Sequence, residues 1–221
     1  MPKKKLAIHT LVSPSFGQNA YVLSLEGSNE CVVVDPGFDA EEIEKHVIHR
    51  QLTPRAVLNT HGHIDHIAGN QWMKTCWADC PIVIGKEDAP KLLDPSANLS
   101  SQFGVGLTSP RADILVVHGD VYEAAGIKFH VIGIPGHSQG HVVYLWKEED
   151  PWIVLGGDIL FQGGVGRTDF ADGNTRLLFT SIRDRLFTLP DDTVVLPGHG
   201  PSTTIGAEKR DNPFVGQRAV V

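Results

Sequence analysis

Three histidines and one aspartate fall within six residues, His61-Gly62-His63-Ile64-Asp65-His66, directly after the apolar run Ala56-Val57-Leu58-Asn59. A chain that carries this segment must bring a buried strand into a rigid loop whose polar side chains share one point. Neutral imidazole and carboxylate are the ligand set of zinc, iron and manganese. His61 and His63 are two apart, so in extended backbone they point the same way. Asp65 and His66 follow a change of direction, with Ile64 anchoring the loop in the core. Two adjacent metal sites account for four such groups better than one. The competing account is a solvated loop rich in histidine. The chain has 11 histidines, so an isolated one carries little weight; this close grouping carries more.

Three further residues share a local pattern. His137, Asp158 and His199 each come just after a strand-like run and directly follow Gly136, Gly157 and Gly198. Glycine there permits a sharp turn or a close approach. Ligands at the ends of neighbouring strands converge in one crevice. The assignment that follows places His61, His63 and His137 on one metal and Asp65, His66 and His199 on a second. Asp158 bridges, and Asp65 and Asp158 are placed to orient a water activated between the two ions as well as to bind metal. Two divalent ions are expected, zinc first, with iron or manganese as alternatives.

Of the remaining histidines, His9, His46, His49, His118 and His130 are assigned to surface or core packing. His141 begins the strand after His137 and is either a supporting partner of a ligand or a locally bonded strand-end residue. Asp35 ends the buried run Glu30–Asp35 beside the ligand loop. It either orients a ligating imidazole through its N–H or caps the turn Asp35-Pro36-Gly37.

Composition narrows the partners. The net charge is -7 and Lys3-Lys4-Lys5 is the longest basic run, which argues against nucleic acid. Those lysines read as a frayed terminus. No apolar stretch follows them as in a secretory signal, and none approaches the roughly 20 residues that span a bilayer. Three cysteines imply no disulfide framework. Cys76 and Cys80 are spaced to share a helix face as buried thiols. The expectation is a cytoplasmic, reduced protein without membrane or nucleic-acid partners, forming a single domain over residues 1–221.

Strands are expected over 6–10, 19–25, 30–35, 56–59, 81–85, 114–117, 127–134, 142–146, 152–155 and 193–196. A helix capped by Asp39 runs to Arg50 with Ile43, Val47 and Ile48 inward. One from about residue 68 carries Trp72, Met73 and Cys76 inward. One capped by Asn174 runs to Phe187 with Leu177, Leu178, Ile182, Leu186 and Phe187 inward. Thr203 or Thr204 caps a last helix, with Glu208 near capping-box distance. Residues 94–108, rich in Ser, Gly and Asn, are a candidate lid or substrate wall. The class is α/β (α+β).

Thr60-His61-Gly62-His63-Ile64-Asp65-His66, Gly136-His137, Gly157-Asp158 and Gly198-His199, in that order, resemble the metallo-β-lactamase-fold hydrolase superfamily over about Ala7 to Pro213. The resemblance implies a four-layer αββα sandwich with a metal site at one edge of its two sheets. No cysteine lies near a ligand motif, unlike the zinc β-lactamases with a cysteine ligand. The set Asp65, His66, His199 is similar to that of glyoxalase II. Gly166-Arg167-Thr168-Asp169-Phe170 and the segment from Gly200 to Phe214 resemble the short, single-domain glyoxalase II-like (hydroxyacylglutathione hydrolase-like) branch. Persulfide dioxygenases share the Gly-Arg-Thr-Asp segment.

The resemblance implies a binuclear metal-dependent thioesterase acting on S-acyl-glutathione or a similar small-molecule thioester. Full-length glyoxalase II adds a C-terminal helical domain with glutathione contacts, whereas this sequence ends soon after His199. Arg167, Lys209 and Arg210 are the basic side chains that could substitute. The rivals are an iron-dependent persulfide dioxygenase, a hydrolase of another ester, lactone, lactam or phosphodiester, and a non-enzymatic metal-binding module.

Overall fold

A computed structural model describes residues 5–219; Lys3 and Lys4 lie outside this range. In chain order the elements are β1 (Leu6–Val12), β2 (Asn19–Leu25), β3 (Glu30–Val34), α1 (Ala40–His49), β4 (Thr53–Asn59), α2 (Ile64–Ile67), α3 (Asn70–Cys76), β5 (Ile82–Gly85) and β6 (Ile114–Val116). The second half follows with β7 (Val121–Ala124), β8 (Ile127–Gly133), β9 (Val142–Trp146), β10 (Ile153–Gly157), β11 (Leu160–Phe161), β12 (Gly164–Val165), α4 (Thr175–Ser181), β13 (Val194–Pro197), β14 (Thr203–Thr204) and α5 (Ile205–Asp211).

The strands form two six-stranded sheets, ordered β1-β2-β3-β4-β5-β6 and β14-β13-β10-β9-β8-β7. In the first sheet, β3 to β6 are mutually parallel. In the second, β10 and β13 are the parallel pair. Period-two alternation separates the cores. Val32 and Val34 of β3 face the inter-sheet core, while Cys31 and Val33 face the helices. On β9, Val142, Tyr144 and Trp146 face inward while Val143 and Leu145 face the other helical layer. Ile43 and Val47 of α1 and Met73 of α3 cover one sheet. Leu178 of α4, Ile182 and Ile205 of α5 cover the other. The result is the αββα layering.

The differences from expectation have local causes. Ile48 is 62% exposed, because the buried stripe of α1 runs Ala40, Ile43, Val47 and leaves its neighbour outside. Trp72 turns outward and donates its indole N–H to Glu44 at 3.0 Å. Cys76 is only half-buried. Leu177 is exposed beside the buried Leu178. Asp39 occupies the N-cap of α1 without a capping bond. Asn174 and Thr204 do cap, accepting from Leu177 N and Ala207 N.

Glu208 does not complete a capping box; it accepts from Thr203, Gly163 N and Asn212 instead. α3 ends at Cys76, so Cys76 and Cys80 share no helix face; Cys80 packs in the same helix-side core as Cys31. β7 was not expected; it is a half-exposed edge strand whose apolar residues do not alternate cleanly.

Candidate metal centre

The chain leaves β4, β8, β10 and β13 toward one end of the sandwich, and the seven candidate ligands lie on those exits. Loops from opposite sheets are bonded there. Asn19 donates to the carbonyls of Gly198, Pro197 and Gly200 at 2.7–2.9 Å. Tyr21 and Tyr144 donate their hydroxyls to Pro197 O and Asn59 O at 2.7 and 3.1 Å. Glycine is needed at three of these exits: Gly136 has φ 134, and a side chain there would collide with the backbone of Leu178. Gly157 has φ 51, and a side chain on Gly198 would collide with Asp158 Oδ1 and the His66 ring.

The side chains form three overlapping groups: His61, His63, His137; His61, His66, Asp158; and Asp65, His66, His199. Within each group, donor atoms lie within 4.8 Å of one another. His137 Nε2 is 3.0 Å from His63 Nδ1 and 3.3 Å from His61 Nε2. Asp65 Oδ2 is 3.1 Å from His199 Nε2. Asp158 lies between the sets, with Oδ1 3.4 Å from His66 Nε2 and Oδ2 3.8 and 3.6 Å from the Nε2 atoms of His137 and His199.

Supporting bonds fix the tautomers. His66 Nδ1–H donates to Asp35 Oδ2 at 2.9 Å and His137 Nδ1–H to the Arg167 carbonyl at 2.7 Å. The Thr60 hydroxyl donates to Asp35 at 2.7 Å, so it accepts from His61 Nδ1–H at 3.1 Å. In each ring Nε2 therefore points into the cluster, as a lone pair on His61 and His137, whose imidazoles burial holds below the ordinary histidine value. Two lone pairs facing each other at 3.3 Å cannot hydrogen-bond. His66 Nε2 and Asp158 Oδ1 are buried with no hydrogen-bond partner. This donor set fits two divalent cations.

Electrostatics divide the cluster. Burial, then the neighbouring imidazoles, push His61 well below the ordinary histidine value, and burial with His137 does the same to His63. Both are neutral. At His66, burial pulls down, but Asp65, Asp158 and Asp35 outweigh it and raise the imidazole well above its usual value. Burial alone would raise Asp158 and Asp65; His66 and the adjacent imidazoles hold both below the usual carboxylate range.

Asp35 takes the supporting position, with φ 49 and bonds to Thr60 N, Thr60 Oγ1 and His66. His141 is buried, stacks on His61 at 4.7 Å and accepts from Asp158 N at 3.1 Å. Arg167 contributes its carbonyl to His137, while its guanidinium pairs with Asp169 at the surface. Lys209 and Arg210 pair with Asp191 and Asp211 on and beside α5 and do not line the cleft.

Asp88 and Lys91 were not singled out in the sequence. Asp88 is fully buried and accepts from Gly62 N at 2.8 Å, Ser138 Oγ at 2.7 Å and Gly140 N at 2.7 Å. It ties the loop of His61 and His63 to that of His137. Lys91 is buried beside it and pairs with Asp172 at 2.7 Å. The only local sign was an acid shortly after the apolar strand β5.

Residues 94–108 form a wall rather than a loose lid. Asn98 is fully buried, its Nδ2 donates to Lys91 O and Leu107 O, and its carbonyl accepts from Ile64 N. The cleft above the cluster has a volume of about 430 Å³.

The family model of the metallo-beta-lactamase superfamily matches residues 14–199. The chain belongs to that superfamily. Bacillus subtilis probable metallo-hydrolase YqgX is 38% identical over 198 residues, 89% of this chain and 92% of that protein. Haemophilus influenzae hydroxyacylglutathione hydrolase GloC is 33% identical over 212 residues, 93% of this chain and 96% of that one.

Among solved structures, the BLEG-1 B3 metallo-beta-lactamase superposes with TM-score 0.89 at 36% identity, covering 95% of this chain and 99% of that one. TTHA1623 in a di-iron-bound form gives 0.79 at 33%, covering 93% and 99%. The superfamily chain thus combines the expected sandwich with a His/Asp cluster suited to two metals. Among the described residues, no helix is long and apolar enough to cross a membrane.

Proposed function

We propose that this protein is a binuclear metal-dependent hydrolase of small-molecule thioesters, with S-acyl-glutathione or a similar compound as substrate. The observation that carries the reading is the opposed pair of imidazole lone pairs at His61 and His137, together with the unpartnered His66 Nε2 and Asp158 Oδ1. Seven side chains would hold the ions: His61, His63 and His137 on one, Asp65, His66 and His199 on the other, and Asp158 between. Bound there, a cation pair lowers the pKa of water toward neutrality and polarises an acyl oxygen.

The chain's own residues do the rest. Asp65 and Asp158 stay ionised and face the space between the sets, so they accept hydrogen bonds from the attacking water and fix its orientation. Asp35, Thr60 and the Arg167 carbonyl hold three imidazoles in one tautomer. A thiol leaving group has a pKa of about 8.5, so it departs as thiolate without a dedicated acid. The acidic charge balance fits a small-molecule partner better than nucleic acid. The likeness to GloC supports this substrate class.

The likeness to BLEG-1 favours a second reading, hydrolysis of a lactam by the same residues.

Hydrolysis of S-D-lactoylglutathione, simple acyl thioesters, lactones and a β-lactam should be compared with metal content measured on the same sample. Thioester turnover lost in Asp158→Ala supports the proposal. Turnover of lactams alone supports the second reading. Oxygen uptake with glutathione persulfide by an iron-loaded sample, without hydrolysis, overturns both.

A further inference from the structure

We infer that the cleft selects its substrate by an apolar group gripped between aromatic walls, and not by the charges of glutathione. The inference rests on the hydrolase reading for the reaction, but its test does not.

Phe16, Leu99 and Phe103 line the cleft together with Phe161, Val165 and Phe170. The lining is braced. Phe16, in the β1–β2 turn, stacks on Phe38 at 4.8 Å and meets Phe103 edge-on at 5.5 Å. Leu99 holds φ 71, a strained value for leucine, between the buried Asn98 and the short 3-10 helix Ser100–Phe103. Phe170 packs edge-on against His63 at 4.8 Å. Phe103 is 57% exposed, its edge contact with Phe16 leaving much of the ring uncovered.

The cleft is poor in available cations. Arg167 is the one lysine or arginine among the described residues that line it. Its Nε and Nη2 both donate to Asp169, at 2.7 and 2.6 Å, and its guanidinium lies 4.7 Å over the Phe170 ring. Lys91 pairs with Asp172 away from the lining. Glutathione carries two carboxylates, which call for unpaired Arg or Lys. The walls offer apolar area instead, worth about three- to fourfold in affinity per methylene buried.

The test is calorimetric binding of non-hydrolysable thioethers to metal-loaded protein. Two series are used, S-methyl, S-butyl and S-hexyl, on N-acetylcysteamine and on glutathione. Affinity is expected to rise about 200- to 1,000-fold from methyl to hexyl on both carriers, with the carriers within about threefold of each other. Phe16→Ala and Phe103→Ala should each flatten the rise, weakening the hexyl compounds more than the methyl ones. Glutathione compounds binding tenfold tighter at every chain length, with the gain lost in Arg167→Gln, would overturn the inference. So would absence of binding by either hexyl compound. Chain-length selectivity without thioester turnover would sink the thioesterase reading and leave this one standing.

Discussion

The Asp35 carboxylate receives the Nδ1–H of His66 at 2.9 Å, and both residues are buried. Asp35 also accepts from the Thr60 backbone and hydroxyl, so one carboxylate aligns His66 directly and His61 through Thr60.

Asp35→Asn should therefore damage metal binding without touching a metal. An amide cannot accept all three bonds. Affinity at the His66 site is expected to fall about 10–100-fold. The group left unsatisfied costs about 1–3 kcal/mol. Metal titration and thermal unfolding read the two effects.

Asp88→Asn should act on the other site. Its amide nitrogen would face Gly62 N, Gly140 N or the Ser138 hydroxyl, each now donating to the carboxylate. The expected result is a loss of about 1–3 kcal/mol and weaker binding at the His61, His63, His137 set, with the second set retained. Equal weakening of both sites would show that Asp88 acts on the whole fold.

The two sites should differ in proton release. His61 and His63 are already neutral at pH 7, whereas the three carboxylates around His66 raise its imidazole well above the usual value. A cation entering the second site must displace that proton. Lowering the pH should thus empty the second site first, and raising it through the elevated His66 value should strengthen binding there. At His199 burial is likewise outweighed, by the hydrogen bond to Asp65 and the charge of Asp158, and the imidazole is raised. Calorimetry in buffers of different ionisation enthalpy should therefore find about one to two protons released for the second equivalent and fewer for the first.

Buried thiols should be inert. Burial, then Cys80, pushes the Cys31 thiol up to about 12, and burial pushes Cys80 to about 11. The thiolate is the reactive form. Alkylation near pH 8 followed by mass spectrometry should find Cys76 modified first. Cys31 and Cys80 should react only on unfolding.

What could be read from the sequence was local. β2 and β9 match their expected bounds because their apolar runs end at turn residues. The seven side chains were nameable as neighbours because each follows a strand within a few residues, and they do converge. The role of Asp88 was not legible: its partners Gly62 and Gly140 lie 26 and 52 residues away. Ile48, Trp72 and Leu177 were misplaced because an apolar residue beside a helical stripe can face either way, and the layer above decides.

The most direct measurement is metal reconstitution of chelator-stripped protein, with bound metal and thioester turnover followed together. The account predicts saturation at two equivalents, turnover appearing with the second, and one equivalent in folded His199→Ala. Saturation at one equivalent with all seven residues intact, or full turnover by the stripped protein, would contradict it.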